Sequence, residues 1–184
     1  MLSSRYGDDD VINGECVHFT PWPKHFGTDP EQVLTFYKNH YMRMAEEDLV
    51  PKLISMDGEG LITEKCIPLI STIENITGNS RDKLKECLIN RIRKLHALGI
   101  CHRDLHIRNI VLRHYIPLFV DFELAIVIDP SCLCYDLNGP VSKIPVPDQH
   151  VMLGSEYEVT GEWWNAEHQD SLSRYFGKVS STDE

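Results

Sequence analysis

The sequence predicts an α+β domain, and three observations carry that reading. Two segments place apolar residues at three- and four-residue spacing, as a helix with one buried face requires. Several short apolar runs separated by turn residues read as strands. One pair of them, Ile110-Val111-Leu112 and Leu118-Phe119-Val120, flanks Arg113-His114-Tyr115-Ile116-Pro117 and reads as a strand, turn, strand hairpin. At 184 residues and 42% hydrophobic composition, the chain suits one compact unit with its own core.

The elements follow in order. Residues 1–14 are polar and aspartate-rich and should be poorly ordered. Glu15-Cys16-Val17-His18-Phe19 alternates enough for a short strand. Asp29 before Pro30 suits an N-cap followed by proline at the first helical position, and Thr28 with Glu31 spells a capping box. Val33, Phe36, Tyr37, His40, Tyr41 and Met44 then give one buried helical face. A strand starts within residues 49–54, Asp57-Gly58-Glu59-Gly60 is a turn, and residues 61–68 read as a second apolar strand. Ser80-Arg81-Asp82 opens the clearest helix, with Leu84, Cys87, Leu88, Arg91, Ile92, Leu95 and Leu98 as its stripe and Gly99 as a left-handed stop. The basic set Arg81, Lys83, Lys85, Arg91, Arg93 and Lys94 reads as a solvated face. After residue 128 the chain is irregular, with turns at Asp129-Pro130 and Asn138-Gly139-Pro140 and an extended segment at 144–147. Tyr157, Trp163, Trp164, Tyr175 and Phe176 suggest a short helical closure packed back on the domain, and residues 179–184 should be poorly ordered.

Charge and cysteine usage exclude several classes. There are 28 acidic against 18 basic residues, a formal charge of −10, which argues against a sequence-independent nucleic-acid binder. No apolar run reaches the length of a membrane span and the N-terminus has no apolar signal region, so a cytoplasmic location is expected, with the nucleus as the other possibility. The six cysteines form no CxxC pair, and Cys132-Leu133-Cys134 lacks a second ligand pair at zinc spacing. They read as reduced thiols.

The chemistry concentrates between His102 and Glu123. Asp104 stands five residues before Asn109, and a hairpin that starts at Ile110 ends on Asp121. This arrangement gathers three oxygen-bearing groups around one cleft, as phosphoryl transfer demands. One carboxylate orients or deprotonates an acceptor hydroxyl, while an amide oxygen and a second carboxylate hold Mg²⁺ against nucleotide phosphates.

His102-Arg103-Asp104-Leu105…Asn109 and Asp121-Phe122 resemble the catalytic core of the protein-kinase-like superfamily, H-R-D-L-x-x-x-N followed by D-F-G. The resemblance implies a two-lobed fold over the whole chain, with a reduced N-terminal lobe and hinge over about residues 15–68 and a shortened helical C-terminal lobe over about 69–178. It implies ATP and Mg²⁺ as cofactors and a hydroxyl-bearing protein or small molecule as acceptor. Asp104 would be the general base, Asn109 and Asp121 the metal ligands, and His102 an architectural residue bonded to backbone near Phe122. Glu64, Lys65 and Cys66 would form the hinge, contacting adenine through main-chain groups, with Leu112 and His18 also at the nucleotide.

The departures matter as much. No Gly-rich loop precedes the first strand, and His18 stands where the phosphate-contacting lysine is expected. A neutral imidazole lacks the permanent cation of lysine. Lys24 is the nearby substitute, though it also reads as a loop lysine. Glu31, Glu46 and Glu47 are the candidates for the helix carboxylate that pairs with such a lysine. His106 and Asp121-Phe122-Glu123 follow aminoglycoside- and choline-kinase-like enzymes, Arg103 follows protein kinases, and Arg108 stands where tyrosine kinases carry arginine, so the acceptor stays open. Glu123 replaces a flexible glycine, and no A-P-E motif appears. A pseudokinase, a binding or scaffold module on the same fold, is the alternative from another class.

Overall fold

The structure, a computed structural model, describes residues 16–19, 29–58, 60–102, 104–123, 125–127, 133–134, 141–142 and 172–176. The expectations for residues 1–14 and 179–184, Arg103, Tyr157, Trp163 and Trp164 lie outside these.

Strand β1 (Cys16–Phe19) is followed by helix α1 (Pro30–Glu46). The helix begins as its sequence requires. Asp29 Oδ1 accepts the Glu31 N–H at 3.1 Å, and Pro30, which has no N–H to satisfy, takes the first turn. Val33, Tyr37, Tyr41 and Met44 are buried, one face at helical spacing. Strands β2 (Leu53–Met56) and β3 (Leu61–Glu64) join β1 in an antiparallel sheet of order β1-β3-β2, with Val17 opposite Thr63. The single strand expected over 61–68 is in fact two. At Lys65 and Cys66 the chain leaves the first sheet, and β4 (Ile67–Pro68) pairs in a second. The two polar-flanked residues at the break are what an unbroken apolar reading overlooked.

Two short 3₁₀ turns, Leu69–Ser71 and Ile73–Asn75, lead to α2 (Gly78–Ala97). It begins two residues before Ser80, because Gly78 takes a left-handed φ of +53° that turns the chain into the helix. Gly99, at φ +73°, ends the helix region and donates its N–H to the His96 carbonyl at 2.9 Å. The stripe Leu84, Leu88, Ile92 and Leu95 fills the core. Burial of His96 on the same helix pulls its pKa down to about 4.

Strand β5 (Ile100–Cys101) leads into the loop that carries Asp104, and β6 (Ile110–Arg113) and β7 (Ile116–Phe119) form the expected hairpin. Its two-residue turn puts His114 at φ 49° and Tyr115 at φ 67°, the left-handed pair that matches strand twist. The sheet order is β4-β6-β7, so β7 is an edge strand, with Pro117 opposite Leu112. The Phe119 N–H reaches outside the hairpin to the Leu49 carbonyl at 2.8 Å. Strand β8 (Ile126–Val127) pairs with β5, and β9 (Leu133–Cys134) with β10 (Val141–Ser142). Finally α3 (Leu172–Phe176) buries Leu172 and Phe176 against the core, the closure expected from the C-terminal aromatics.

The basic face of α2 is only partly solvated. Arg81 donates to the Ile76 carbonyl at 2.7 Å and to the Ile73 carbonyl at 2.8 Å. Arg91 is buried, bonding the carbonyl of Asp48 and, at 3.1 Å, its Oδ2. Arg113 bridges Asp48 Oδ1 and Glu64 Oε1, the latter at 2.7 Å. Asp48, at φ 60° just after α1, therefore joins α1, α2, β6 and the end of β3 in one charge network.

Candidate functional site

The loop after β5 is fixed by its apolar residues. Leu105 and Ile107 are fully buried on either side of His106, so the His106 side chain between them has little choice of direction. His102 is also fully buried. Its Nδ1 accepts the Asp104 N–H at 3.3 Å, which puts the proton on Nε2, 2.9 Å from the Val120 carbonyl. Burial is the main cause that drives its pKa down to about 4, against the nearby Asp104 charge, and keeps that neutral form. Asn109 directs Nδ2 to both the carbonyl and Oδ2 of Asp104, each at 2.9 Å. A flipped amide would turn its oxygen onto two acceptors, so Oδ1 must point away from Asp104. His106 Nε2 lies 3.5 Å from Asp104 Oδ2, while its Nδ1 accepts the Arg108 N–H at 3.2 Å.

These contacts decide the charge of Asp104. Burial is the largest influence and would raise its pKa, but the His106 hydrogen bond, the electrostatic influence of the two nearby imidazoles, and the Asn109 bond outweigh it. The net shift is downward, so the carboxylate is ionised yet only 16% exposed.

Asp121 is brought in by the hairpin. The Val120 N–H bonds the Asn109 carbonyl at 3.0 Å, and the Val120 carbonyl receives His102 Nε2. Val120 is thus tied to the Asp104 loop through both of its main-chain groups. Asp121 follows at φ 63°, a left-handed backbone that residues with a side chain seldom adopt. The Phe122 N–H then donates to the Tyr37 hydroxyl at 2.9 Å. The Phe122 ring packs 4.5 Å from His102 and stacks on Phe36 of α1 at 6.1 Å, centroid to centroid. Burial, and next the Asp121 charge, push the Tyr37 phenol well above its ordinary range, so it keeps its proton.

A cleft of about 710 Å³, counted out to its open mouth, lies between the two sheets and reaches Asp121. Val17, Leu61 and Thr63 line one side and Val111, Phe119 and Val120 the other, with Tyr37 and Tyr41 of α1 also in the wall. Glu64, Lys65 and Cys66, the residues expected to form the hinge, line it, and neither Lys65 nor Cys66 is paired in a strand among the described residues. The Glu64 carboxylate is engaged elsewhere, because its Oε1 accepts the Lys52 N–H and the Arg113 guanidinium, both at 2.7 Å. Burial, then the Glu64 charge, push the Cys66 thiol up to about 12, so it is not a thiolate.

One of the expected nucleotide contacts is placed otherwise. Leu112 belongs to the opposite face of β6, in a second cavity with Tyr115 and the start of α2, and its neighbour Val111 lines the cleft instead. Successive strand residues point to opposite faces, and the sequence expectation chose the wrong parity. His18 pairs with Ile62 in β1, its side chain lies outside the described residues, and Val17 of β1 lines the cleft. Lys24 also lies outside them. None of Glu31, Glu46 and Glu47 lines the cleft: Glu31 serves the first turn of α1, and Glu47 pairs with Lys94 at 3.1 Å. Tyr37 and Tyr41 do line it, and the sequence signal for them was their place on the buried face of α1.

The donor set fits Mg²⁺. This ion takes oxygen ligands, keeps several waters, and is held by one or two carboxylates together with phosphates. Asp121 would supply the carboxylate, and the forced orientation of Asn109 turns its amide oxygen away from Asp104. Among the described residues no group of three or more His, Cys, Asp or Glu side chains forms a metal cage of its own, so phosphate oxygens would be needed to complete the shell.

The family model described as the phosphotransferase enzyme family matches residues 39–136, more than half of the chain and all of the site residues from Glu64 to Asp121. The chain belongs to this family. Its mixed helix-and-sheet architecture is accordingly the kinase-like fold. Comparison with curated proteins gives no match. Among solved structures, the bifunctional kinase–methyltransferase WbdD aligns with a TM-score of 0.39 and 16% identity, over 62% of this chain and 28% of that one. No described helix of this phosphotransferase-family chain is long and apolar enough to cross a membrane.

Proposed function

We propose that the chain transfers the γ-phosphoryl group of ATP, with Mg²⁺, to a hydroxyl of a protein or small-molecule acceptor. The observation that carries this reading is the double tether of Val120, which joins the Asp104–Asn109 loop to the Asp121 segment. In the proposed step the acceptor oxygen attacks the γ-phosphorus, the bond from that phosphorus to the β,γ-bridging oxygen breaks, and ADP departs. The acceptor's proton passes to the Asp104 carboxylate, which His106 and Asn109 keep ionised and oriented. Bound Mg²⁺ would supply neutralisation of the phosphate charge from Asn109 and Asp121. The main chain at Lys65 and Cys66, between the two sheets, would receive the adenine edge.

Melting the protein with and without Mg-ATP tests the nucleotide site. Ligand at about a hundred times its Kd stabilises by about 2.7 kcal/mol, which for a chain of this size is about 5–10 °C. Asp121→Ala should lose that shift. Asp104→Ala should keep it, while ADP release against a panel of hydroxyl acceptors falls by about a hundred- to ten-thousandfold. An unchanged rate in Asp104→Ala would remove it from the mechanism. The binding-module reading has its own observation, since Lys65 is the one cationic side chain on the cleft wall among the described residues. Mg-ATP stabilisation without ADP release on any acceptor would favour that reading.

A further inference from the structure

Helix α1 faces the cleft with tyrosines where a carboxylate was expected, and one of them reaches the Asp121 segment. We infer that Tyr37 is a positioning residue for the metal-binding carboxylate: its hydroxyl, by accepting the Phe122 N–H, holds Asp121 in the left-handed backbone that presents it to the cleft. The inference rests on the phosphotransferase reading and assigns α1 a part in it.

Three observations support it independently of one another. Asp121 lies at φ 63°, and a residue kept in so sparsely populated a region persists only when its surroundings over-determine it. The surroundings supply bonds on both sides: Val120 is held by Asn109 and His102, and the Phe122 N–H by the Tyr37 hydroxyl. Without the third bond, the backbone after Asp121 could rotate while Val120 stayed fixed. Finally, Tyr37 lines the same cleft wall as Asp121, so the contact is at the site itself.

The choice of side chain follows from charge. A glutamate on α1 could accept the same N–H, but it would bring a second negative charge beside Asp121 and compete for the cation. A neutral hydroxyl fixes the backbone without adding a further negative charge beside Asp121.

The test is calorimetric titration with a non-hydrolysable ATP analogue over a series of Mg²⁺ concentrations, on the full chain, on Tyr37→Phe and on Val33→Ala. Val33 is a buried α1 residue away from the cleft and controls for loss of stability alone. Loss of one hydrogen bond predicts that Tyr37→Phe raises the half-saturating Mg²⁺ concentration by roughly three- to tenfold. Val33→Ala should keep the wild-type Mg²⁺ dependence. Equal Mg²⁺ dependence in Tyr37→Phe and wild type overturns the inference and leaves the phosphotransferase reading intact. Absence of Mg²⁺-dependent binding in the wild type overturns both, and is seen before any variant is compared. Should Tyr37→Phe not fold, hydrogen exchange of the Phe122 amide in the wild type decides. Protection that increases with the Mg-bound analogue supports the inference, and exchange at the rate of an open loop refutes it.

Discussion

Asp48 and Asp121 share an unusual backbone and solve it differently. Both lie at φ near +60°, one after α1 and the other after β7. At Asp48 the carboxylate itself is spent on the framework, since Arg91 and Arg113 both bond it. At Asp121 the flanking residues are tied down instead, through Val120 and Phe122, and the residue lines the cleft. The same local strain thus serves stability in one place and, on the proposed reading, would present a metal ligand in the other. The lesson is that the bonds around a strained residue, more than the strain, tell which it is.

Replacing each aspartate by asparagine breaks the comparison most sharply, because asparagine tolerates the left-handed backbone and removes only the charge. Asp121→Asn should lower turnover by about a hundred- to a thousandfold, the equivalent of a few kcal/mol of lost metal-assisted stabilisation, with a melting point close to wild type. Asp48→Asn should do the reverse. It leaves buried Arg91 without its ion pair, and with Asp48 itself half-exposed the cost is about 1–2 kcal/mol, or about 3–6 °C, with kcat retained below the melting point. A loss of stability in Asp121→Asn as large as that in Asp48→Asn would erase the distinction.

Acid loads the framework on the Asp48 side through α2, which carries both Arg91 and His96. His96 is held near 4 when folded and returns to about 6.5 when unfolded, so between those values the unfolded chain binds the extra proton. Stability is therefore complete above pH 6.5 and falls as the pH drops towards 4, by on the order of 3 kcal/mol for this residue. His102, shifted equally, adds a similar slope at the Asp121 end. Denaturant titrations from pH 7 to 4 should show His96→Leu losing about half of the combined slope; an unaltered slope would mean that another group carries it. The smallest effect separates backbone from charge. Alanine in place of asparagine at either position should cost about 1 kcal/mol more, since it resists positive φ.

Much of this was legible in the sequence wherever a local rule was strong. The cap at Asp29, the stop at Gly99 and the hairpin from Ile110 to Phe119 each follow from side-chain chemistry within a few residues. The motif residues Asp104, Asn109 and Asp121 could be read in order because one loop and one hairpin connect them. What escaped depends on distance or parity. Leu112 and Val111 are both apolar, and only the pairing register tells which faces the cleft. Tyr37 looks like any core aromatic on α1, and its hydroxyl gains meaning from Phe122, 85 residues away. Arg91 looked like part of a solvated face until Asp48, 43 residues away, supplied its partner.

The edge strand β7 has a further consequence for a hairpin that carries Asn109 at one end and Asp121 at the other. Residues 117 and 119 are those whose main chain turns away from β6, as the Phe119 bond to Leu49 indicates. Proline at 117 has no N–H to offer, and Phe119 has already given its own. A stray extended segment arriving at this edge meets carbonyls but no donors, and cannot build a ladder there. The strand that delivers Asp121 is thereby closed to templated pairing, so crowding or partial unfolding of neighbours has no purchase on the register of the site.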